Sequence, residues 1–231
     1  MHASVQNRFR AFNEPLEGIV RYMYLDVKGL VTVGVGNLID PVSAATGLPF
    51  RYKSKPGIKN AGQLASKADI EAEWKLIKGK RDLAQRGYRA CEPLTKLELN
   101  DAAINTLIND RLLQNERFLK RQMRFKDFDQ WPADAQLGLL SMAWAMGPGF
   151  SANWLRFSAA CEKMNFDAAA ENCHISEAGN AGVAPRNRAD KHLFKNAAAV
   201  LAGEADGVYL RQTLYYPTVL MKPITITAKR P

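Results

Sequence analysis

The chain has 231 residues, 47% of them hydrophobic and 24% charged, a balance that excludes intrinsic disorder and leaves enough length for a sizeable core. It contains no run of about 18 apolar residues, so no membrane-spanning helix is expected. The formal net charge of +9 draws the surface towards polyanions, of which nucleic acid and the anionic bacterial wall are the two candidates. There is neither a basic helix with base-reading residues nor an aromatic stacking repeat, so no nucleic-acid partner is expected.

The first residues, MHASVQNRFRAFNEPLEG, lack the apolar core of a secretory signal. The expectation is synthesis in the cytoplasm without a signal peptide. Residues 5–16 have helical character, and Pro15 leaves two readings open. Either a helix begins near Asn13, with Pro15 in its first turn and Asn13 as its cap, or a longer helix kinks at Pro15. The first is preferred.

Residues 17–38, EGIVRYMYLDVKGLVTVGVGNL, carry the strongest local pattern. Over 30–38, Val31, Val33 and Val35 alternate with Thr32, Gly34 and Gly36, the period of a strand. Glycine at such positions marks either a bulge or bend, or a place where a ligand or another backbone comes close. The turn before it is decided by charge burial. A two-residue Lys28-Gly29 loop would put Asp26 opposite Val31 on the valine face and bury its carboxylate. A three-residue loop of Val27, Lys28 and Gly29, with Gly29 left-handed, instead pairs Asp26 with Leu30 and Leu25 with Val31. Leu25, Val31, Val33 and Val35 then share one apolar face, while Tyr24, Asp26, Leu30, Thr32, Gly34 and Gly36 share the other. Register is strongly specified where one face is buried, so Asp26 and Thr32 are expected to be same-face neighbours.

Residues 39–62, rich in Pro, Gly, Ser and Lys, are predicted as loop, with lysines and arginines that are solvated rather than lining a cleft. Ser66 and Asp69 resemble a capping box at the head of a helix to about residue 86, with Ile70, Trp74 and Ile77 on one side. Trp74 is read as core rather than sugar platform. Residues 98–123 form the longest periodic run, with Ile104, Leu107, Ile108, Leu112, Phe118 and Leu119 as its stripe. Residues 125–150 are predicted as loop and then helix, opening at Pro132, apolar nearly all round, and stopping at Gly147-Pro148-Gly149. Helices follow over 153–163 and 167–173, and another runs from the 179–189 stretch to about 202. The β-prone end at 224–227 is expected to pack before fraying at the terminus, or to serve as a docking peptide.

His2, His174 and His192 are isolated and lack metal-ligand spacing, so no metal or other cofactor is expected. Cys91, Cys161 and Cys173 leave one thiol unpaired in any pairing. Three reduced thiols are the default, and a Cys161–Cys173 bridge stays open after export.

Two carboxylates facing each other across a cleft are what glycosidic cleavage uses, one donating a proton and the other orienting water or attacking the sugar. Spacing alone does not separate such a pair from solvated surface charges. The ordered set Glu17-Gly18, Tyr24-x-Asp26, Gly29 and Thr32-Val-Gly-Val-Gly36 closely resembles the catalytic stretch of the phage-type lysozymes, muramidases that cut the glycan of bacterial cell walls. The resemblance implies Glu17 as general acid, Asp26 as the water-orienting carboxylate and Thr32 as the hydroxyl that positions the water. It implies substrate contacts at Gly34, Gly36, Asn37, Trp144 and Arg188. Asn37 departs from the histidine common in the family. MAWAMG, residues 142–147, resembles a cleft-facing segment, with Trp144 as its aromatic and Ala145 in place of a glutamine. Pro185, Asn187, Arg188 and Ala189 resemble the family's Pro-Asn-Arg-Ala signature with Arg186 inserted, and by resemblance Arg188 reaches Glu17. A cation there would lower a carboxyl pKa where a general acid needs it raised, which a substrate that dries the cleft would offset.

The implied fold is α+β, mostly α, a single two-lobed lysozyme-like domain. Its N-lobe spans 12–65, an insertion and connecting helices 66–124, a helical C-lobe 125–205, and a tail 206–231. The implied activity is hydrolysis, with inversion and without cofactor, of the β-1,4 bond between N-acetylmuramic acid and N-acetylglucosamine, by a monomer whose partner is bacterial peptidoglycan. Reaching the periplasm without a signal would require a pore, a secretion machine or a larger exported chain, so a delivery or immunity protein is a further candidate partner. A phage lysin and a secreted antibacterial effector both fit, the extra segments favouring the effector. A lytic transglycosylase would use Glu17 alone, and a non-catalytic wall-binding module would need none of the three polar residues.

Overall fold

The computed structural model describes residues 1–178 and 181–205. The predicted β-prone segment at 224–227 lies outside the described residues. The fold is mostly helical with two small antiparallel sheets, the α+β class expected, and among the described residues no helix is long and apolar enough to cross a membrane. The chain divides into two compact units, one of Glu17–Asp110, the other of Met1–Leu16 together with the described chain from Arg111 onward.

Helix α1 spans Ala3–Glu17 with Pro15 inside it, so the longer of the two readings holds and the preferred one does not. Proline removes one amide near a helix end and costs stability, but Val5, Phe9 and Phe12 are buried along the preceding turns and outweigh it. Asn13 is no cap. It is buried and its Oδ1 accepts a hydrogen bond from Arg186 Nη2 at 3.0 Å.

In the Glu17–Asp110 unit, β1 (Val20–Leu25), β2 (Val31–Gly34) and β3 (Asn37–Leu38) form a three-stranded antiparallel sheet in that order. The predicted register is observed. Tyr24 pairs with Thr32 and Leu25 with Val31, Asp26 N donates to Leu30 O at 3.0 Å, and Gly29 has φ +73°. The single strand predicted over 30–38 is instead two, because the chain reverses at Gly34–Gly36 and Val33 comes opposite Asn37. Gly34 (φ +70°) and Gly36 (φ +71°) adopt the left-handed backbone this reversal requires. A Cβ on Gly34 would also lie 3.0 Å from Asn37 Oδ1.

The predicted loop over 39–62 contains α2 (Val42–Thr46) and β4 (Arg51–Tyr52), the latter paired with β5 (Leu97–Glu98). Two-residue strands with an intermediate burial pattern carry too little periodicity to stand out from their Pro- and Gly-rich surroundings. Helix α3 spans Lys67–Gly79 and ends earlier than expected. Its cap is the predicted one, since Ser66 Oγ accepts from Asp69 N at 3.2 Å and donates to the Asp69 carboxylate. The chain after Gly79 breaks into 3-10 turns, Arg81–Leu83 and Tyr88–Leu94. Helix α4 spans Asp101–Lys120.

In the other unit, α5 (Ala133–Met146) is buried along residues 133–144 and ends at Gly147 with φ +85°, as predicted. It packs on α8 (Ala184–Ala205), which also meets α7 (Phe166–Asn172), and α7 meets α6 (Leu155–Glu162). Gly138 lets α8 close in, because a Cβ there would fall 2.9 Å from Phe194 Cζ. Rings fill the space between these helices, with Trp131 5.3 Å from Phe166 and Phe157 5.3 Å from Phe194 between centroids. Cys91, Cys161 and Cys173 are free thiols and buried.

Candidate functional site

The hairpin brings Asp26 and Thr32 onto one face. Asp26 Oδ1 accepts from Lys28 N at 2.8 Å and Leu30 N at 2.9 Å, an Asx-type turn in which the side chain closes its own loop. Oδ2 takes no part in those bonds. Thr32 is 4% exposed and its hydroxyl donates to Leu30 O at 3.2 Å, which leaves the oxygen lone pairs as acceptors. Glu17, the last residue of α1, is exposed and belongs to the same compact unit as the hairpin.

Gly34 is buried and Gly36 exposed, and both serve the reversal described above. Asn37 is 8% exposed, its Oδ1 accepts from Val35 N at 3.2 Å and its Nδ2 donates to Leu107 O at 3.4 Å. The side chain therefore ties the tip of the sheet to α4.

Trp144 and Arg188 belong to the helical unit. Trp144 is 2% exposed, its ring 5.1 Å from that of Phe9 and covered by the Arg111 guanidinium at 4.2 Å. Arg188 is exposed on α8. Its neighbour Arg186, read from the sequence only as an inserted residue, is 3% exposed. Arg186 Nη1 donates to Ser141 Oγ at 2.7 Å and Ser141 O at 3.2 Å, while Nη2 reaches Asn13. One turn later on α8, Asp190 is fully buried, and burial pushes its carboxyl up to about 7, with Ser141 and the Arg186 charge pulling the other way. Asn187 holds the chain before α8 through Ile175 N and O, both at 2.8 Å, and Glu177 Oε1 at 3.0 Å.

Three side chains that the sequence did not single out surround the Asp26 turn. Gln85 Nε2 donates to Val27 O at 3.0 Å, Lys78 Nζ donates to Gly29 O at 3.0 Å, and Lys78 also pairs with Asp40, whose Oδ2 accepts from Val31 N at 3.3 Å. Burial of Asp40 works to raise its pKa, but the Lys78 and Val31 bonds hold the carboxyl below its ordinary value. The only sequence signal for Lys78 is its place one turn after Trp74 on α3, where its ammonium lies 5.9 Å from the Trp74 ring centroid. Gln85 has no signal of its own.

A cavity of about 570 Å³ opens elsewhere in this unit, between α3 and the β4–β5 pair, and none of Glu17, Asp26 and Thr32 lines it. Glu73 forms part of its wall, 7% exposed, with Oε2 accepting from Lys96 N at 2.6 Å and Leu97 N at 3.1 Å. Burial pushes the Glu73 carboxyl up to about 7 against the pull of those amides. Between its ordinary value of 4.5 and about 7, the folded protein holds a proton that the unfolded chain has released. Stability therefore falls as pH rises through that window, by on the order of 3 kcal/mol for a group shifted this far. Glu73→Gln keeps an acceptor oxygen and removes the titration, so urea unfolding at pH 4.5 and pH 7.5 is expected to differ less in the variant than in the native protein.

No protein-family model matches the chain, and neither does any curated protein.

Proposed function

We propose that the protein is a peptidoglycan muramidase of the phage-type lysozyme kind, hydrolysing the β-1,4 bond between N-acetylmuramic acid and N-acetylglucosamine. The observation that carries the reading is the Asp26 turn. Its three-residue loop sets a carboxylate and a threonine hydroxyl on one face of a sheet, in the same compact unit as Glu17. A lysozyme-like two-lobed fold is proposed with it, supported by one unit that carries both sheets and a second that is helical.

In this reading Glu17 protonates the glycosidic oxygen, while Asp26 and the Thr32 oxygen hold the water that attacks the opposite face of the sugar. Asp26 is suited to that task because two amides fix its Oδ1, so its second oxygen is presented with little freedom left to lose. The positive net charge favours approach to an anionic wall. The biological setting proposed is bacterial cell-wall degradation, as a secreted antibacterial effector or a phage lysin.

Mass spectrometry of digested, purified peptidoglycan tests the reaction type. Muropeptides ending in reducing N-acetylmuramic acid are the expected products, and a set dominated by the anhydro sugar would assign the chain to the lytic transglycosylases instead.

A further inference from the structure

The two bonds that aim Asp26 are made by the N–H groups of Lys28 and Leu30. Each of those N–H groups shares a planar peptide unit with the carbonyl before it, and the unit turns as one piece. The carbonyl that shares a plane with Lys28 N–H is that of Val27, which Gln85 Nε2 binds at 3.0 Å. The carbonyl that shares a plane with Leu30 N–H is that of Gly29, which Lys78 Nζ binds at 3.0 Å. Both peptide units that grip Asp26 are thus held from behind by side chains beyond the hairpin. The turn's own backbone bonds, Gly29 N to Asp26 O at 2.9 Å and Asp26 N to Leu30 O at 3.0 Å, engage the adjoining peptide units, and Val27 at the loop is 73% exposed.

We propose that Lys78 and Gln85 are positioning residues for Asp26, fixing its carboxylate through the Gly29–Leu30 and Val27–Lys28 peptide units. The inference rests on the reading of Asp26 as the water-orienting carboxylate. Lys78 is itself oriented, because Asp40 holds its ammonium and also accepts from Val31 N at the first residue of β2. Trp74, whose Nε1 donates to Ile39 O at 2.9 Å, stands on the same helix one turn away. A donor on a carbonyl also polarises the N–H of that peptide unit, so the two tethers strengthen the bonds to Oδ1 as well as aiming them. Because Lys78 and Gln85 follow the hairpin by tens of residues, the segment from α3 to Gln85 sets the geometry of a site to which it lends no reacting atom.

The test is steady-state kinetics on soluble glycan fragments of peptidoglycan with native protein, Lys78→Met, Lys78→Arg, Gln85→Leu, Asp26→Asn and the Asp26→Asn/Lys78→Met pair. Lys78→Met is expected to lower kcat about tenfold and leave KM within about twofold, because the carboxylate is misaimed and substrate contacts are untouched. Lys78→Arg, which keeps a donor and the charge, restores most of the loss, and Gln85→Leu lowers kcat about threefold. In the Asp26→Asn background Lys78→Met adds no further loss, since its effect passes through the carboxylate. An unchanged kcat in Lys78→Met, or a full additional loss in the Asp26→Asn background, overturns the positioning role while leaving the muramidase reading intact. Should Lys78→Met fail to fold once Asp40 loses its cation, Gln85→Leu and its pair with Asp26→Asn decide by the same two criteria, because the Gln85 bond is exposed. Full activity in Asp26→Asn, or no hydrolysis by the native protein, overturns the reading of Asp26 and the inference with it.

Discussion

Glu17→Gln is expected to reduce wall-lytic activity by roughly 10² to 10⁴-fold, the usual contribution of a positioned general acid. The substitution preserves size and one acceptor oxygen, but an amide has no proton to give the departing sugar oxygen. Glu17 ends α1 and is exposed, so a near-native far-UV spectrum is expected alongside the loss. Asp26→Asn is the informative companion. Its amide oxygen can still accept from Lys28 N and Leu30 N, so the turn should survive and any loss reports the missing charge rather than a misshapen loop. The measurement is the rate of clearing of purified cell-wall suspensions, followed by kinetics on soluble fragments. Undiminished lysis by Glu17→Gln would remove this residue from the mechanism.

The second large effect is on stability. Arg186→Ala is expected to destabilise the protein by about 3 kcal/mol or more, because each buried acceptor stripped of a charged donor costs about 1 to 3 kcal/mol. Three acceptors lose a donor at once, Ser141 Oγ, Ser141 O and Asn13 Oδ1. Asp190, fully buried and already pushed up to about 7 by that burial, also loses a nearby positive charge. Without Arg186 the Asp190 carboxyl is harder still to ionise in the folded state, so the variant should be least stable above neutrality and recover part of the deficit by pH 5. Urea unfolding of the native protein, Arg186→Ala and Arg186→Ala/Asp190→Asn at pH 5 and pH 8 checks this. The double variant should show the smaller pH dependence, and a single variant as stable as the native protein at pH 8 would show that the cluster carries no such energy.

These two sites differ in how far the sequence disclosed them. The Asp26 turn was legible because two loop lengths competed and only one kept the carboxylate off the valine face, which made register a question of charge burial. The end of α5 at Gly147 and the cap at Ser66 were legible because helix termini must satisfy backbone groups locally, with residues suited to it. The reversal at Gly34–Gly36 was not, because alternating valines continue to be buried when the strand turns back, and a glycine does not declare the sign of its φ. Pro15 misled for a related reason. A local penalty was visible, whereas the burial of Val5, Phe9 and Phe12 that overrides it is tertiary. The ties that hold each of these two places join residues far apart in sequence, 38 positions for Lys78 with Asp40 and 58 for Gln85 with Val27, and 173 for Arg186 with Asn13 in the helical unit. No local pattern encodes such pairs. Arg186 and Arg188 were distinguishable only by which of them α8 turns towards α5 and which towards solvent.

The buried thiols of the helical unit bear on its reactivity. Burial pushes the Cys161 thiol well above its usual range and the Cys173 thiol up to about 12, and Cys173 Sγ donates to Ala170 O at 3.3 Å. Only the thiolate attacks oxidants and alkylating agents, so Cys161 and Cys173 are chemically quiet while the fold is intact. A maleimide reagent should label Cys161 and Cys173 only as the fold opens, so their rate of modification is a direct clock for opening of the helical unit.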